Sequence, residues 1–180
     1  MAKTLISTHA ASASSELDIT SGIDSTYPVY EFIFVNMHPA TDGGDFTFQV
    51  NASGGSGFNE TMTSTIFVAY HSESTGATHL GYNPNEASDQ AQGTAYQNLV
   101  YETGSDNDQA CSGTLTLYDP SSTTFVKHFM ARSINSYAPD FIHDSYVAGY
   151  INTTSAIDEI SFKFDNGNTD AGTIYMYGVS

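Results

Sequence analysis

The sequence predicts an all-β protein, an antiparallel two-sheet β-sandwich resembling a jelly roll, which forms a single domain over residues 1–180. Three observations predict this fold. Apolar and polar residues alternate in short runs, turn-forming residues separate the runs, and the spacing of an amphipathic helix is nearly absent. The chain also carries 12 tyrosines and 11 phenylalanines, whereas disordered chains are poor in aromatic residues. A chain of this length buries about 70% of its unfolded surface on folding, so it needs no disulfide.

The predicted strands of the first half of the chain cover residues 4–9, 17–20, 27–37, 46–50, 65–70 and 94–101. In the third strand, Phe32 and Phe34 point to one side. Ile33, Val35 and Met37 point to the other side, which is the pattern of a central strand that is apolar on both faces.

The fourth predicted strand has a different pattern, because Phe46 and Phe48 alternate with Thr47 and Gln49. This alternation predicts one buried face and one face in contact with solvent. Residues 83–92 form the one plausible helical turn, opened by a cap-like asparagine before a proline.

The predicted strands of the second half cover residues 113–118, 123–131, 146–152, 157–164 and 172–180. The apolar positions of the predicted strands define the expected core, which comprises Phe32, Phe34, Phe48, Leu115, Leu117, Ile160, Phe162 and Phe164. The order of the strands in the sheets does not follow from the sequence.

Charge, apolar runs and cysteine content argue against a nucleic-acid-binding, a membrane-spanning or a secreted protein. The chain has 4 Lys and Arg against 20 Asp and Glu, a net charge of -16, so direct binding to nucleic acid is disfavoured. No run approaches the roughly 18 to 20 apolar residues of a membrane span, and the first 30 residues lack the apolar core of a signal peptide. Cys111 is the single cysteine, which suits folding in a reducing cytosol.

Candidate catalytic and metal-binding groups lack the required spacing. The six histidines show no paired metal-ligand pattern, and the acidic loops at 102–108 and 165–170 do not match the twelve-residue calcium loop. Cys111 follows an acidic loop, whose charge should raise the pKa of its thiol. The chain also lacks a Gly-x-Ser-x-Gly motif. We therefore expect no enzymatic activity, no cofactor and no metal site.

Aromatic and polar residues concentrate between positions 137 and 150. The candidate site residues are Tyr137, Asp140, His143, Tyr146 and Tyr150. Aromatic faces beside a carboxylate can hold a sugar, but tyrosines can also pack their rings on a sandwich or form a subunit interface. The sequence leaves these interpretations open, so we take the five residues as a possible glycan site or interface.

A family resemblance rests on turn and strand motifs across nearly the whole chain. The motifs lie at residues 4–8 (TLIST), 17–27 (LDITSGIDSTY), 34–42 (FVNMHPATD), 157–168 (IDEISFKFDNGN) and 172–178 (GTIYMYG). They resemble small virion structural proteins of tailed bacteriophages, especially marine ones. The resemblance implies a non-enzymatic outer-capsid decoration or cement protein that is assembled in the host cytoplasm and located in the virion. It also implies a homotrimer that binds the major capsid protein or other virion proteins. The alternative that it implies is a tail or head fibre module that recognises a host-surface glycan.

Overall fold

The computed structural model describes residues 2–82, 88–137 and 140–180. These residues form thirteen strands and no α-helix. The strands are β1 (Lys3–Ala10), β2 (Leu17–Ile19), β3 (Val29–Pro39), β4 (Phe46–Ala52), β5 (Met62–Ser72), β6 (Thr78–Tyr82), β7 (Ala91–Gly93), β8 (Gln97–Asn98), β9 (Cys111–Tyr118), β10 (Lys127–Tyr137), β11 (Phe141–Ile151), β12 (Ile157–Phe164) and β13 (Thr169–Val179). No helix in the described part of the chain has the length and apolar character needed to cross a membrane.

The strands form two antiparallel sheets of unequal width. Sheet A has nine strands in the order β1-β13-β3-β9-β10-β11-β5-β6, with β7 also paired to β5. Sheet B has four strands in the order β2-β12-β4-β8. The predicted antiparallel β-sandwich is therefore confirmed, and the jelly-roll arrangement stays a prediction.

Phenylalanine rings from the two sheets fill the space between them. Phe162 of β12 lies with its ring centroid 5.6 Å from that of Phe32 in β3 and 6.0 Å from that of Phe46 in β4. The rings of Phe48 in β4 and Phe129 in β10 meet edge to face at 5.1 Å. All eight residues of the expected core are buried, so that prediction is confirmed.

Strand β3 departs from the simple alternation that the sequence predicts. Its pairing with β9 shifts between Phe34 and Met37, where Asn36 adopts a positive φ of 51°. The extra residue of such a bulge reverses the alternation of side chains, so Met37 is buried like Phe34 while Val35 stays exposed. The prediction that Met37 and Val35 share a face was wrong. The prediction of a central strand with apolar residues on both faces is confirmed, because β3 lies between β13 and β9 and carries Ile33 and Val35 on the face opposite Phe32 and Phe34.

Strand β4 is buried on both faces, which corrects the prediction that one face contacts solvent. Gln49 is fully buried, and its Nε2 lies 3.0 Å from the carbonyl oxygens of Glu60 and Ala95 and 3.2 Å from that of Thr94. A second layer of chain thus covers the polar side of β4. The predicted strand at 94–101 belongs to this layer, and only Gln97–Asn98 of it pairs as a strand.

The predicted helical turn at 83–92 is only partly described, because residues 83–87 lie outside the described residues. Within the remainder, Ala91–Gly93 forms strand β7 against β5. Ser88 has a 3₁₀-helical conformation, so the prediction of a helical turn was wrong only for the stretch that begins at Ala91. Pairing with the edge of β5 provides the backbone hydrogen bonds there.

Truncating the central ring should reveal how strongly the core depends on it. We expect Phe162→Ala to lower the free energy of unfolding by about 3 to 5 kcal/mol, because the ring is fully enclosed and its removal leaves a cavity. Chemical denaturation measures this change. The control is Phe125→Ala, in a loop and 67% exposed, which should change stability by less than about 0.5 kcal/mol. Equal effects of the two substitutions would contradict the assignment of Phe162 to the core.

Candidate functional site

A small aromatic cleft opens at one end of the sandwich. Ring contacts place sheet B over β3 and β10, whereas β5 and β6 lie towards the far edge of the wider sheet A. The inner side of sheet A at this edge borders a cavity of about 220 Å³. The residues that line this aromatic cleft are Val68, Tyr70, His79, Tyr101, Glu102, Tyr137, Phe141 and His143.

His143 forms the floor of the aromatic cleft and is only 4% exposed. Its ring centroid lies 5.7 Å from that of Tyr70, 5.8 Å from that of Tyr137 and 6.0 Å from that of Tyr101. Phe141 lies 6.3 Å away in the same way. Four aromatic rings therefore surround the imidazole of His143.

The hydrogen bond of His143 fixes the state of its ring. Nδ1 lies 3.1 Å from the carbonyl oxygen of Tyr101, and since a carbonyl only accepts, Nδ1 carries the proton. Burial lowers the pKa of His143. The imidazole is therefore neutral at pH 7, and its Nε2 is a hydrogen-bond acceptor.

Polar contacts hold the wall formed by Tyr101 and Glu102. Asn135 Nδ2 donates to the carbonyl oxygens of Tyr101 at 3.0 Å and Glu102 at 2.9 Å, and the backbone N–H of Glu102 donates to Asp45 Oδ1 at 2.8 Å. Glu102 adopts a positive φ of 50°, a conformation that costs a non-glycine residue about 1 kcal/mol or more. The buried anchors offset this strain and fix the wall.

A second feature is the outer face of sheet A, which is the side turned away from sheet B. Large apolar side chains are exposed there on seven of its strands: Leu5, Val35, Phe67, Leu80, Tyr82, Tyr118, Met130, Ile134 and Ile142. Single apolar side chains are common on protein surfaces, but nine large ones on one face of a sheet indicate an interaction surface.

A row of stacked side chains crosses the middle of the outer face. Tyr146 of β11 stacks on Phe67 of β5, with ring centroids 4.7 Å apart and planes within 2° of parallel. The guanidinium of Arg132 in β10 lies 4.9 Å from the centroid of the Tyr146 ring on the other side. Arg132 also donates two hydrogen bonds, of 3.0 and 2.8 Å, to the carboxylate of Asp144.

The outer face carries little net charge in a strongly acidic chain. The nine strands of sheet A contain three acidic residues, Glu31, Asp144 and Asp170. Glu31 pairs with Lys3, and Asp144 pairs with Arg132. Two of the chain's four Lys and Arg residues thus neutralise carboxylates of this one sheet, and the other acidic residues in the described part of the chain lie outside it.

The five candidate residues from the sequence separate into three places. Tyr137 and His143 line the aromatic cleft. Tyr146 and Tyr150 lie an odd number of positions from His143 in β11, so they point to the outer face. Asp140 is exposed in the turn before β11 and borders a separate groove of about 530 Å³ with Glu73, Asp106 and Asp108 among its lining residues.

Sequence reasoning missed the cleft residues from distant segments, namely Tyr70, His79 and Tyr101. No local pattern links these positions, because antiparallel pairing and the 98–104 segment bring them together. The outer face had a detectable pattern in β5, where Ile66, Phe67 and Val68 place large apolar side chains on both faces of one strand.

Two further features of the sequence, the acidic loops and the single cysteine, are candidate metal ligands and a candidate nucleophile. Among the described residues, no three His, Cys, Asp or Glu side chains are arranged to hold a metal ion. Cys111 is buried, and burial raises the pKa of its thiol to about 12. The raised pKa was predicted, but its main cause is loss of solvent rather than the neighbouring acidic loop.

Comparison of this chain with protein families, with curated proteins and with solved structures found no match in any of the three.

Asp45 supports the wall of the aromatic cleft, and its raised pKa predicts that the free energy of unfolding depends on pH. Burial raises the pKa of Asp45 to about 6, well above about 3.9 for an unfolded chain. The folded protein therefore binds this proton more tightly, so the associated stability is full below about pH 4 and is lost as the pH rises through 6. A shift of this size corresponds to about 3 kcal/mol.

We expect Asp45→Asn to flatten this part of the pH profile, since the amide does not titrate. Urea denaturation at several pH values between 4 and 7 measures the difference between the two proteins. Asp108→Asn is the control, because Asp108 is exposed in a loop. If Asp45→Asn and the control follow the same profile as the unmodified chain, Asp45 does not titrate near pH 6.

Proposed function

We propose that this chain is a non-enzymatic structural protein that assembles into homo-oligomers through the outer face of sheet A. The observation that carries the proposal is the number of exposed large apolar side chains on a sheet face whose carboxylates are mostly paired, in an otherwise acidic molecule. Its most nucleophilic side chain, the thiol of Cys111, is buried and protonated at neutral pH, which supports a role other than covalent catalysis.

The outer face is large enough for a stable interface. Six strands from β13 to β5 span about 29 Å at a spacing of about 4.8 Å, and strands of eight to eleven residues span about 26 to 36 Å. The face therefore measures on the order of 900 Å². A standard protein interface buries about 800 Å² on each partner.

The side chains on the outer face are those that dominate binding at interfaces. Tyr146, Arg132 and Met130 lie near its middle, and tyrosine, arginine and methionine are enriched at interfaces. The stacking of Phe67, Tyr146 and Arg132 holds these side chains in place before binding. Preorganised side chains lose less entropy when a partner binds.

The charge distribution favours a further copy of this chain as the partner. Two copies at -16 each repel one another over most of their surfaces. On the outer face, however, Glu31 and Asp144 are neutralised within the same chain, so like-charged copies can approach there. A surface built for an oppositely charged partner would instead leave its carboxylates unpaired.

The narrower form of the proposal is an outer-capsid decoration or cement protein of a tailed bacteriophage. It follows the family resemblance described above, in which a homotrimer binds the major capsid protein. A rigid antiparallel sandwich that folds without disulfides suits this role. High salt in a marine setting shortens the Debye length to a few ångströms, which removes most of the repulsion between acidic subunits.

A charge placed at the centre of the outer face should prevent assembly. Met130 is 56% exposed in β10, and we expect Met130→Glu to weaken self-association at least tenfold because it buries an unpaired carboxylate in the interface. Analytical ultracentrifugation measures the oligomeric state. Phe125→Glu is the matched control, since Phe125 is 67% exposed outside the sheet and should leave association unchanged.

The same measurement tests the kind of contact involved. Association should stay equal or become tighter when NaCl is raised from 0.1 M to 1 M, because screening removes repulsion and does not weaken apolar contacts. A monomeric wild-type chain at all salt concentrations, or dissociation by NaCl alone, would contradict assembly through this face.

Copy number in purified particles tests the narrower proposal. A capsid decoration protein should be present in hundreds of copies, because it repeats over the whole shell, whereas a fibre module should be present in only a handful. Gel densitometry against the major capsid protein measures the ratio. Absence of the chain from the particle would refute the virion role and leave the oligomerisation result unaffected.

A further inference from the structure

We propose that the aromatic cleft binds a single neutral hexopyranose ring, such as the terminal residue of a glycan. This inference goes beyond the assembly role and does not depend on it, since the aromatic cleft and the outer face lie on opposite sides of sheet A. The structure supports it through the shape of the cavity, the type of its polar groups and the rigidity of its walls.

The size of the aromatic cleft limits its ligand. Its volume of about 220 Å³ lies below the roughly 300 to 1,000 Å³ of pockets for drug-sized ligands. One six-membered ring is therefore a better match than an extended chain. The aromatic walls of Tyr70, Tyr101, Tyr137 and Phe141 offer flat apolar surfaces for the C–H face of such a ring.

The polar groups of the aromatic cleft include two fixed acceptors. Nε2 of His143 can accept a hydrogen bond because Nδ1 donates to the Tyr101 carbonyl, and the carboxylate of Glu102 lies in the lining, where it accepts from the hydroxyl of Tyr101 and keeps further acceptor sites. A ligand that matches them must present hydrogen-bond donors close to an apolar face. Sugar hydroxyl groups on a pyranose ring combine these two properties.

The charge of the aromatic cleft argues against an anionic ligand. Its lining contains Glu102 and no Lys or Arg. The four cationic side chains of the chain are engaged elsewhere: Lys3 with Glu31, Arg132 with Asp144, Lys127 with two backbone carbonyls and Lys163 over the ring of Tyr96. Sialic acids, uronic acids and phosphates would therefore meet a carboxylate with no compensating charge.

A quaternary ammonium ion is the main competing ligand, because aromatic rings beside a carboxylate also hold methylated cations. Such a cation has no hydrogen-bond donor. A cation that fills the aromatic cleft would displace water from Nε2 of His143 and offer no hydrogen bond in return, which is unfavourable for an acceptor. The position of His143 thus favours the sugar.

The walls of the aromatic cleft are held in place without a ligand. Asn135 donates to two successive carbonyls of the Tyr101–Glu102 wall, and Asp45 accepts from the Glu102 backbone. The strained φ of Glu102 is kept by these contacts. A preformed site loses little conformational entropy on binding, so a small ligand can bind measurably.

The test is an NMR titration of the whole protein with the methyl glycosides of glucose, galactose and mannose. We expect at least one of them to shift the ring resonances of His143 and Tyr137 in a saturable way, with a Kd in the millimolar range. Tyr137→Ala should weaken this binding about five- to tenfold, because the sugar loses one stacking face. Tyr150→Ala is the matched control, since it removes a half-buried tyrosine from the outer face and should leave the Kd unchanged.

Two further measurements keep the result interpretable. If Tyr137→Ala unfolds, Tyr137→Leu keeps apolar volume in the wall and still removes the ring, so it should show the same loss of binding. Choline chloride serves as the cationic probe. Saturable binding of choline without sugar binding, no saturable shift with any glycoside at tens of millimolar, or equal losses in Tyr137→Ala and Tyr150→Ala would each overturn the proposal.

Discussion

Packing of phenylalanine rings between two sheets of unequal width determines where the aromatic cleft and the outer face of sheet A lie. Phe46, Phe48 and Phe162 of sheet B meet Phe32, Phe34 and Phe129 of sheet A at tilted or edge-to-face angles. Interdigitated rings of this kind fix the relative position of two sheets, because a shift of either sheet would open voids in the core. Sheet B has only four strands, so this core covers part of the inner side of the nine-stranded sheet A. The aromatic cleft forms at the edge beyond it, and the outer face lies on the opposite side of the same sheet.

Hydrogen bonds of buried polar side chains hold the segments that the phenylalanine core does not contact. Gln49 holds a second layer of chain over β4 through carbonyls of residues 60, 94 and 95, and Asn135 and Asp45 hold the wall of the aromatic cleft. Buried polar groups of this kind specify one arrangement, since each is costly when it lacks a partner. The shape of the aromatic cleft therefore depends on a few hydrogen bonds around residues 98–104, which is why a carboxyl group with a pKa of about 6 can influence it.

The chain has only four Lys and Arg residues, and each of them makes a specific contact in the structure. Lys127 is fully buried and donates to the carbonyls of Phe125 and Thr153, while Lys163 lies 4.0 Å from the centroid of the Tyr96 ring. Lys3 and Arg132 neutralise carboxylates of sheet A. As a result, negative charge concentrates in the loops and around sheet B, and the outer face of sheet A is close to neutral. The two proposed roles use different parts of this distribution: the neutral face for like-charged copies, and the cleft with its acceptors for an uncharged ring.

The sequence by itself determined the all-β class, most strand positions and the eight core residues, because alternation with a period of two is a local property of the chain. It could not determine that Met37 is buried, since the bulge at Asn36 arises from pairing with β9. It also could not show that the polar side of β4 is covered, because that burial requires partners from residues 60 to 95. The five candidate residues were close in sequence, yet strand alternation sends Tyr146 and Tyr150 to the outer face and His143 to the aromatic cleft. Only the tertiary structure brings His143 together with Tyr70 and Tyr101, because hydrogen bonds between distant segments decide which side chains meet.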